Sequence, residues 1–136
     1  MLSALTRDWI GSAIFLLLVV FSVELDLPER FLVNAQTPLR VRCGWISNPT
    51  PANVWLTDRD AEWTIGIQGG YQAEGDLPDF QDKQFVKTNG SYGYGCGCIK
   101  GRFNSKTHRV EDISAATPKP LVTCRHDPSL RKKEPK

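Results

Sequence analysis

The stretch 91–98 (Ser-Tyr-Gly-Tyr-Gly-Cys-Gly-Cys) alternates glycine with tyrosine or cysteine, and it constrains the fold more than any other part of the chain. In a β-strand, successive side chains point to opposite faces. One face would carry the larger side chains (Tyr92, Tyr94, Cys96 and Cys98), and the other only Gly93, Gly95 and Gly97. Glycine weakens a strand, so three glycines on one face indicate that another part of the protein packs closely there. We expect a tryptophan ring to be this neighbour, and the cysteines on the opposite face to be cross-linked.

The N-terminal region has the pattern of a secretory signal peptide. Arg7 precedes an apolar run from Trp9 to Val23, which is shorter than the roughly 20 residues that a membrane-spanning helix needs. We predict cleavage after Ala35, so that residues 1–35 are the signal peptide and the protein is exported to the periplasm or secreted. A charged spacer precedes this site, so two alternatives are an uncleaved signal anchor, which would contact the membrane through this segment alone, and a core helix of a cytosolic protein.

All four cysteines follow the predicted cleavage site. An even number of cysteines in a small exported domain indicates disulfides, each of which contributes about 2–4 kcal/mol to stability. Cys96 and Cys98 lie on one face of the same strand, so we expect each to pair with a different partner, Cys43 or Cys124. We favour Cys43–Cys98 with Cys96–Cys124, and the opposite pairing remains open.

Metal binding is the alternative role for the cysteines. The Cys-x-Cys pair could form a tetrahedral thiolate site with Cys43, Cys124 and His126. The chain lacks the Cys-x-x-Cys spacing of common zinc sites, and an exported protein favours disulfides. We therefore predict no metal and no cofactor.

The rest of the mature chain consists of short extended runs separated by turn residues. Strands are expected at 39–46, 54–56, 62–67, 85–87, 91–103, 109–113 and 121–124. The sequence Asn-Pro-Thr-Pro at 48–51 is expected to interrupt regular structure, because proline lacks a backbone donor. Short strands with frequent turns predict a mainly all-β fold, a small antiparallel sheet folded as a sandwich or a partly open barrel. This disulfide-stapled domain should cover residues 36–128, and residues 129–136 should be a flexible basic tail.

Several acidic and aromatic residues are candidates for binding. Asp58 and Asp60 begin an acidic run that suggests calcium, but the length and the glycine of a calcium loop are missing, so a hydrogen-bonded turn is the simpler interpretation. Trp45 and Trp63 are expected in the core. Trp55 lies on the strand that leads into this turn, so a core position and an exposed platform for a glycan, peptide or protein are both open. The candidate binding residues are Trp55, Asp58, Asp60, Tyr92 and Tyr94.

A set of motifs resembles a known family. The motifs are Cys-Gly-Trp at 43–45, Asn-Pro-Thr-Pro at 48–51, Trp-Leu-Thr-Asp-Arg-Asp at 55–60, Trp63, Thr-Asn-Gly-Ser-Tyr-Gly-Tyr-Gly-Cys at 88–96, Cys98, and Pro120-Leu121 with Cys124 and Asp127. In this order they resemble a family of small exported bacterial proteins classed as a domain of unknown function. The resemblance covers residues 43–130 and implies an exported, cysteine-containing module. It assigns no catalytic or ligand-binding residue.

Nothing in the sequence indicates a reaction. Ser91 lacks the glycine pattern of a nucleophile elbow, while His108 lies in a predicted turn and His126 near the chain end. The formal net charge is +2 and the basic residues form no dense stripe, so nucleic acid is not an expected partner. We predict an exported binding module of the cell envelope, not an enzyme, whose partner is an envelope protein or a glycan. An inhibitor or accessory factor of an envelope enzyme is one alternative, and a hydrolase or metal-dependent enzyme is another.

Overall fold

The computed structural model describes residues 37–136, so the predicted signal peptide lies outside the described residues. The six strands are β1 Leu39–Thr50, β2 Asn53–Asp58, β3 Glu62–Gly66, β4 Phe85–Asn89, β5 Tyr92–Asn104 and β6 Arg109–Lys119. A short α-helix, α1, spans Leu121–His126, and single 3-10 turns lie at Asp82–Gln84 and Arg131–Lys133. No helix in this part of the chain is long and apolar enough to cross a membrane. The predicted mainly β fold is confirmed.

The strands form one sheet that curls into a partly open barrel. Their order is β1-β2-β3-β6-β5-β4, and β1 also pairs with β5, so five strands form a ring and β4 pairs with the start of β5. The pairings are antiparallel except that of β3 with β6, which run parallel and meet at Thr64 and Arg109. This is the strand order of an OB-type Greek-key barrel. The predicted sheet therefore takes the barrel form, and β5 is its central strand.

The segment after β3 reinforces the short contact between β3 and β6. The amide of Ala73 donates to the carbonyl of Ile65 at 2.8 Å, and the amide of Ile113 donates to the carbonyl of Glu74 at 2.7 Å. These bonds satisfy backbone groups on the edges of β3 and β6, beyond the point where the two strands pair with each other. The loop after β3 is therefore part of the barrel wall.

Apolar side chains are buried on both faces of β5. The main core comprises Ile46, Val54, Leu56, Trp63, Ile65, Ile99, Phe103, Val110 and Ile113. A second cluster comprises Trp45, Tyr94, Cys96, Cys124 and Leu130, which come from β1, β5, α1 and the C-terminal segment. The side chains of β5 alternate between the two clusters, as strand geometry requires. We call the side that carries the main core the inner face, and the side that carries the second cluster the outer face.

The glycine face of β5 has the close neighbour that the sequence predicts, but this neighbour is not a tryptophan. A Cβ atom on Gly95 would lie 2.6 Å from Cε1 of Phe80 and 2.8 Å from the carbonyl oxygen of Gln84. A Cβ atom on Gly97 would lie 2.9 Å from Cδ1 of Ile46. The tryptophan prediction is wrong because the loop between β3 and β4 lays Phe80 across this face, an arrangement that depends on long-range folding.

The first strand is longer than predicted. β1 continues through Asn48 and Pro49 to Thr50, where an interruption was expected. The register of β1 against β2 shifts between Ser47 and Thr50. This irregularity accommodates Pro49, which has no amide proton to donate to a ladder.

The last predicted strand, residues 121–124, is wrong, because these residues form the helix α1. Pro120 precedes the helix, and its carbonyl accepts a hydrogen bond from the amide of Thr123 at 2.9 Å. Pro120 is the N-cap residue of this helix and has an extended ψ of 140°, so the chain turns immediately after β6. The turn brings Cys124 over β5.

The C-terminal residues 129–136 are not the flexible, solvated tail that the sequence predicts. Leu130 is only 4% exposed, and its carbonyl accepts a hydrogen bond from the indole N–H of Trp45 at 2.9 Å. Glu134 accepts a hydrogen bond from the hydroxyl of Tyr94 at 3.0 Å. The expectation fails because one apolar residue, which precedes a run of basic ones, anchors the whole segment on the outer face.

Candidate functional site

A cleft of about 540 Å³ opens between the start of β1, the β2–β3 turn and the C-terminal segment. β1 contributes residues 40–43, the turn contributes residues 58–60, and the C-terminal segment contributes Asp127 and Leu130. Strand pairing explains this assembly, because the register of β1 against β2 places Gly44 opposite Asp58. Two of the predicted binding residues, Asp58 and Asp60, therefore line this cleft.

Asp58 is the central residue of the cleft floor, and it is only 3% exposed. Its Oδ1 accepts hydrogen bonds from the amides of Asp60 and Ala61, both at 2.7 Å. Its Oδ2 accepts from Nη1 of Arg42 at 2.6 Å and from the indole N–H of Trp63 at 3.0 Å. All four bonds are internal, so Asp58 holds the turn and the floor together and is not free to bind a ligand.

The pKa of Asp58 reflects this environment. Burial acts to raise the pKa of the carboxyl group, but the hydrogen bonds from the Ala61 amide and the Arg42 guanidinium, with the other donors, outweigh it. The pKa therefore lies below its usual value. Asp58 is an anion at neutral pH, and its charge is compensated within the protein.

Arg42 is held in place on three sides. Its guanidinium carbon lies 4.2 Å from the ring centroid of Trp63 and 5.3 Å from that of Phe103. Besides Asp58, it contacts Oδ2 of Asp60 at 3.2 Å. The planar guanidinium stacks on aromatic rings, and its Nη1 contacts both carboxylates, so Arg42 caps this end of the main core with a charged group in one orientation.

The C-terminal wall of the cleft is also fixed by internal bonds. Oδ1 of Asp127 accepts from the amide of Ser129 at 2.8 Å and from its hydroxyl at 2.6 Å. These two bonds hold the pKa of Asp127 below its usual value. Lys133 then crosses to the turn, where its ammonium donates to the carbonyls of Asp58 and Arg59 at 2.9 Å each.

The exposed charged groups at the rim of the cleft are Arg40, Arg59 and Asp60. The side chain of Arg59 is 76% exposed, and its nearest acidic atom is Oδ1 of Asp60 at 3.5 Å. Arg40 is exposed, and it forms no ion pair within residues 37–136. Val41, which is 63% exposed, lies between Arg40 and Arg42 and gives the rim an apolar contact surface. The cleft thus presents two guanidinium groups on a rigid frame.

The other predicted binding residues do not reach the cleft. Tyr94 is 7% exposed and packs edge-on against Trp45, with 5.5 Å between the ring centroids. Burial, and then its bond to Glu134, raise the pKa of Tyr94. Tyr94 is therefore a structural residue of the second cluster. Trp55 and Tyr92 are half-buried, and neither lines the cleft.

The cysteines form the two disulfides that we favoured from the sequence. Cys43 bonds to Cys98, with Cα atoms 4.0 Å apart, and Cys96 bonds to Cys124, with Cα atoms 5.9 Å apart. The first joins two adjacent strands near the cleft, and the second fastens α1 to β5. Because all four thiols are consumed, the alternative zinc site is incompatible with this structure.

Sequence reasoning missed most of the side chains that shape the cleft. Arg40 and Arg42 could have been noted, because they share one face of the predicted first strand. Arg59 lies inside the predicted turn, but exposed arginines in turns are common. Leu130 and Lys133 gave no local signal, since their roles depend on partners far away in the chain.

The hydrolase alternative requires a pocket that collects His108 or His126 with Asp58, Asp60 or Asp127, and the cleft does not do so. It gathers three aspartates, but neither His108 nor His126 lines it. His108 is exposed in the turn before β6, with its ring centroid 5.5 Å from that of Trp63. Within residues 37–136, no group of three or more acidic, histidine or cysteine side chains is arranged to hold a metal ion.

Comparison with known proteins gives the family. The family model described as "Protein of unknown function (DUF4087)" matches residues 37–131, which is more than half of the chain. The chain belongs to the DUF4087 family. No curated protein and no solved structure matches it. The predicted family is confirmed, and the DUF4087 match spans both disulfides, all six strands and Leu130.

Proposed function

We propose that this protein is an exported binding module of the cell envelope, and that its cleft holds an acidic group of a partner protein. The observation that carries the proposal is the pair of exposed guanidinium groups, Arg40 and Arg59, at the rim of a cleft whose floor is fixed by Asp58. Arginine matches carboxylate groups geometrically and is enriched in protein interfaces.

The balance of positive and negative side chains around the cleft supports an acidic ligand. Its lining has three arginines and three aspartates, Arg40, Arg42, Arg59, Asp58, Asp60 and Asp127. Asp58 and Asp127 accept hydrogen bonds from within the protein, and Arg42 is paired with Asp58. The ammonium of Lys133 adds a positive charge that is bonded to carbonyls and not to a carboxylate. Asp60 contacts both Arg42 and Arg59, and with Lys133 included the cleft has four cations against three carboxylates, a net charge of +1.

The rigidity of the frame also supports a binding role. The β2–β3 turn is bonded to Asp58 on one side and to Lys133 on the other. A ligand that binds a preformed site does not have to order it, so less of the interaction free energy is lost on binding. Two disulfides in a domain of this size are typical of proteins in oxidising compartments, which supports export.

Site-specific photo-crosslinking in the cells that produce the protein tests the binding site. A photoactivatable amino acid at position 41, where Val41 is exposed on the rim and carries no charge, should capture one partner from the envelope, whereas the same group at Lys106, in the β5–β6 turn, should not. Arg40→Glu should lower the yield at position 41 at least about tenfold, because the rim loses a positive charge and gains a repulsive one. Equal capture at both positions, or a yield unchanged by Arg40→Glu, would contradict the proposal.

Export is tested separately by intact mass and thiol counting on protein purified from the envelope fraction. The expected result is a mass that corresponds to Gln36–Lys136 with no free thiol. A full-length protein with four free thiols would contradict both export and the disulfides.

An inhibitor or accessory factor of an envelope enzyme is the second candidate. It is favoured by an exposed acidic segment between β3 and β4, where Glu74, Asp76, Asp79 and Asp82 form no ion pair within the described residues. Glu74 and Phe80 anchor this segment on the barrel, so its acidic side chains are held outward. The identity of the protein captured at position 41, an enzyme or a structural component, distinguishes the two candidates.

A further inference from the structure

A row of directly paired residues crosses the outer face of the barrel. Strand register places Tyr94 opposite Ser47, Ser47 opposite Trp55, Trp55 opposite Thr64, and Thr64 opposite Arg109. Directly paired residues project from the same side of a sheet. The indole of Trp55 therefore stands between two small hydroxyl side chains, and neither is large enough to cover its ring.

Trp55 differs from the other two tryptophans of the barrel. Trp45 is 0% and Trp63 is 3% exposed, and each belongs to an apolar cluster. Their indole N–H groups donate to Leu130 and Asp58. Trp55 is only partly buried and belongs to neither cluster, and its N–H has no hydrogen-bond acceptor within residues 37–136. Packing in the two apolar clusters therefore does not explain why a tryptophan is present at position 55.

We propose that Trp55 is the stacking platform of a carbohydrate-binding site on this face. The indole offers a flat apolar surface and a free N–H, on which the C–H face of a pyranose ring can stack. Ser47 and Thr64 place hydroxyl groups on either side of the ring, where they can donate to or accept from sugar hydroxyls. Tyr92 projects from the same side of β5 as Tyr94, and it supplies a second aromatic group for a neighbouring sugar.

The surroundings of Trp55 favour a sugar over a protein partner. The fully buried centre of a protein interface is more apolar than the rest of the protein surface. The large exposed apolar residues of the described chain are Leu39, Val41, Ile67, Leu77 and Val122, and none of them is in this row. The neighbours of Trp55 are hydroxyl groups and, beyond Thr64, Arg109. Small-molecule sites combine an apolar or aromatic surface with a few polar groups that fix the orientation of the ligand, and Trp55 with its hydroxyl neighbours supplies both.

This site goes beyond the proposed function, because none of its residues lines the cleft. The test uses the oxidised protein purified from its host. Three probes distinguish the sources of a pyranose: purified peptidoglycan in a co-sedimentation assay, a soluble N-acetylglucosamine trimer in a fluorescence titration, and a mannose polymer in the same titration. We expect binding to at least one probe, with a change in tryptophan fluorescence for a soluble one.

Variants locate the site. Trp55→Ala should weaken binding at least about tenfold, which is the loss expected for one aromatic stack, whereas Trp55→Phe should retain most of it. Leu77→Ala, at an exposed apolar residue elsewhere, is the matched control and should bind like the wild type. The disulfide content and near-UV circular dichroism show whether Trp55→Ala folds.

Two outcomes would overturn the inference. One is a wild type that binds none of the three probes. The other is a folded Trp55→Ala that binds as tightly as the wild type. If Trp55→Ala instead abolishes photo-crosslinking to a protein while no glycan binds, this face contacts a protein and the carbohydrate site is rejected.

Discussion

The guanidinium of Arg42 lies over the indole ring of Trp63, 4.2 Å from its centroid, while Asp58 accepts a hydrogen bond from each of these side chains. The three residues come from β1, β2 and β3, so this contact joins three strands at the floor of the cleft. Asp58 is the acceptor that the other two share, so removing it leaves the buried Trp63 N–H without a partner and Arg42 with only its contact to Asp60. The same three residues thus determine the stability of the barrel end and the shape of the cleft.

Asp58→Ala should be strongly destabilising. It leaves the Arg42 guanidinium, the Trp63 N–H and two backbone amides without their acceptor, and breaking a buried pair in this way costs about 3–5 kcal/mol. Urea unfolding of the oxidised protein measures the change. Asp60→Ala is the matched control, because the Asp60 side chain is 58% exposed, and it should cost less than about 1 kcal/mol. Equal losses in the two variants would show that Asp58 is not a structural centre.

The contribution of Asp58 to stability should depend on pH in a defined direction. Its pKa is lower in the folded than in the unfolded protein, so the unfolded state takes up the proton first as the pH falls. The stabilisation is therefore complete above the unfolded pKa of about 4 and is lost as the pH falls below it. Asp58→Asn cannot titrate, so the gap in unfolding free energy between it and the wild type should narrow below about pH 4. If the difference in unfolding free energy between the two proteins stays constant from pH 7 down to the lowest pH at which both are folded, the prediction is wrong.

The sequence predicted those parts of the structure that depend on local pattern. The alternation in β5 predicted a sheet, and the turn residues at 57–61 and 104–107 predicted the β2–β3 and β5–β6 hairpins. The contacts of Leu130 could not be predicted, because its partner Trp45 lies 85 positions away in the chain. Arg42 and Asp58 are 16 positions apart, and they meet only because of the β1–β2 register. The cleft is built from such long-range contacts, so its candidate residues were only partly identified.

Gly95→Ala should destabilise the protein by more than about 1 kcal/mol through overpacking. The added Cβ would lie 2.6 Å from the Phe80 ring and 2.8 Å from the carbonyl of Gln84, and the backbone group cannot move aside easily. In a Phe80→Ala background the same substitution should cost less, a coupling that a double-mutant cycle measures by thermal unfolding. Gly70→Ala, where the nearest atom is 3.7 Å away, is the control and should change stability by less than about 0.5 kcal/mol.

Leu130→Ala should cost about 2–4 kcal/mol, although Leu130 precedes a run of charged residues near the chain end. Its side chain is 4% exposed and fills the second cluster beside Trp45, whose indole N–H is bonded to the Leu130 carbonyl. Loss of this anchor should also release Lys133 from the β2–β3 turn, so the near-UV signal of Trp45 should change at temperatures below the unfolding transition. Lys132→Ala, at an exposed neighbour, is the control and should leave both the stability and the near-UV signal unchanged. A Leu130→Ala protein as stable as the wild type would mean that the C-terminal segment is not held on the outer face, and the cleft would then lack one of its walls.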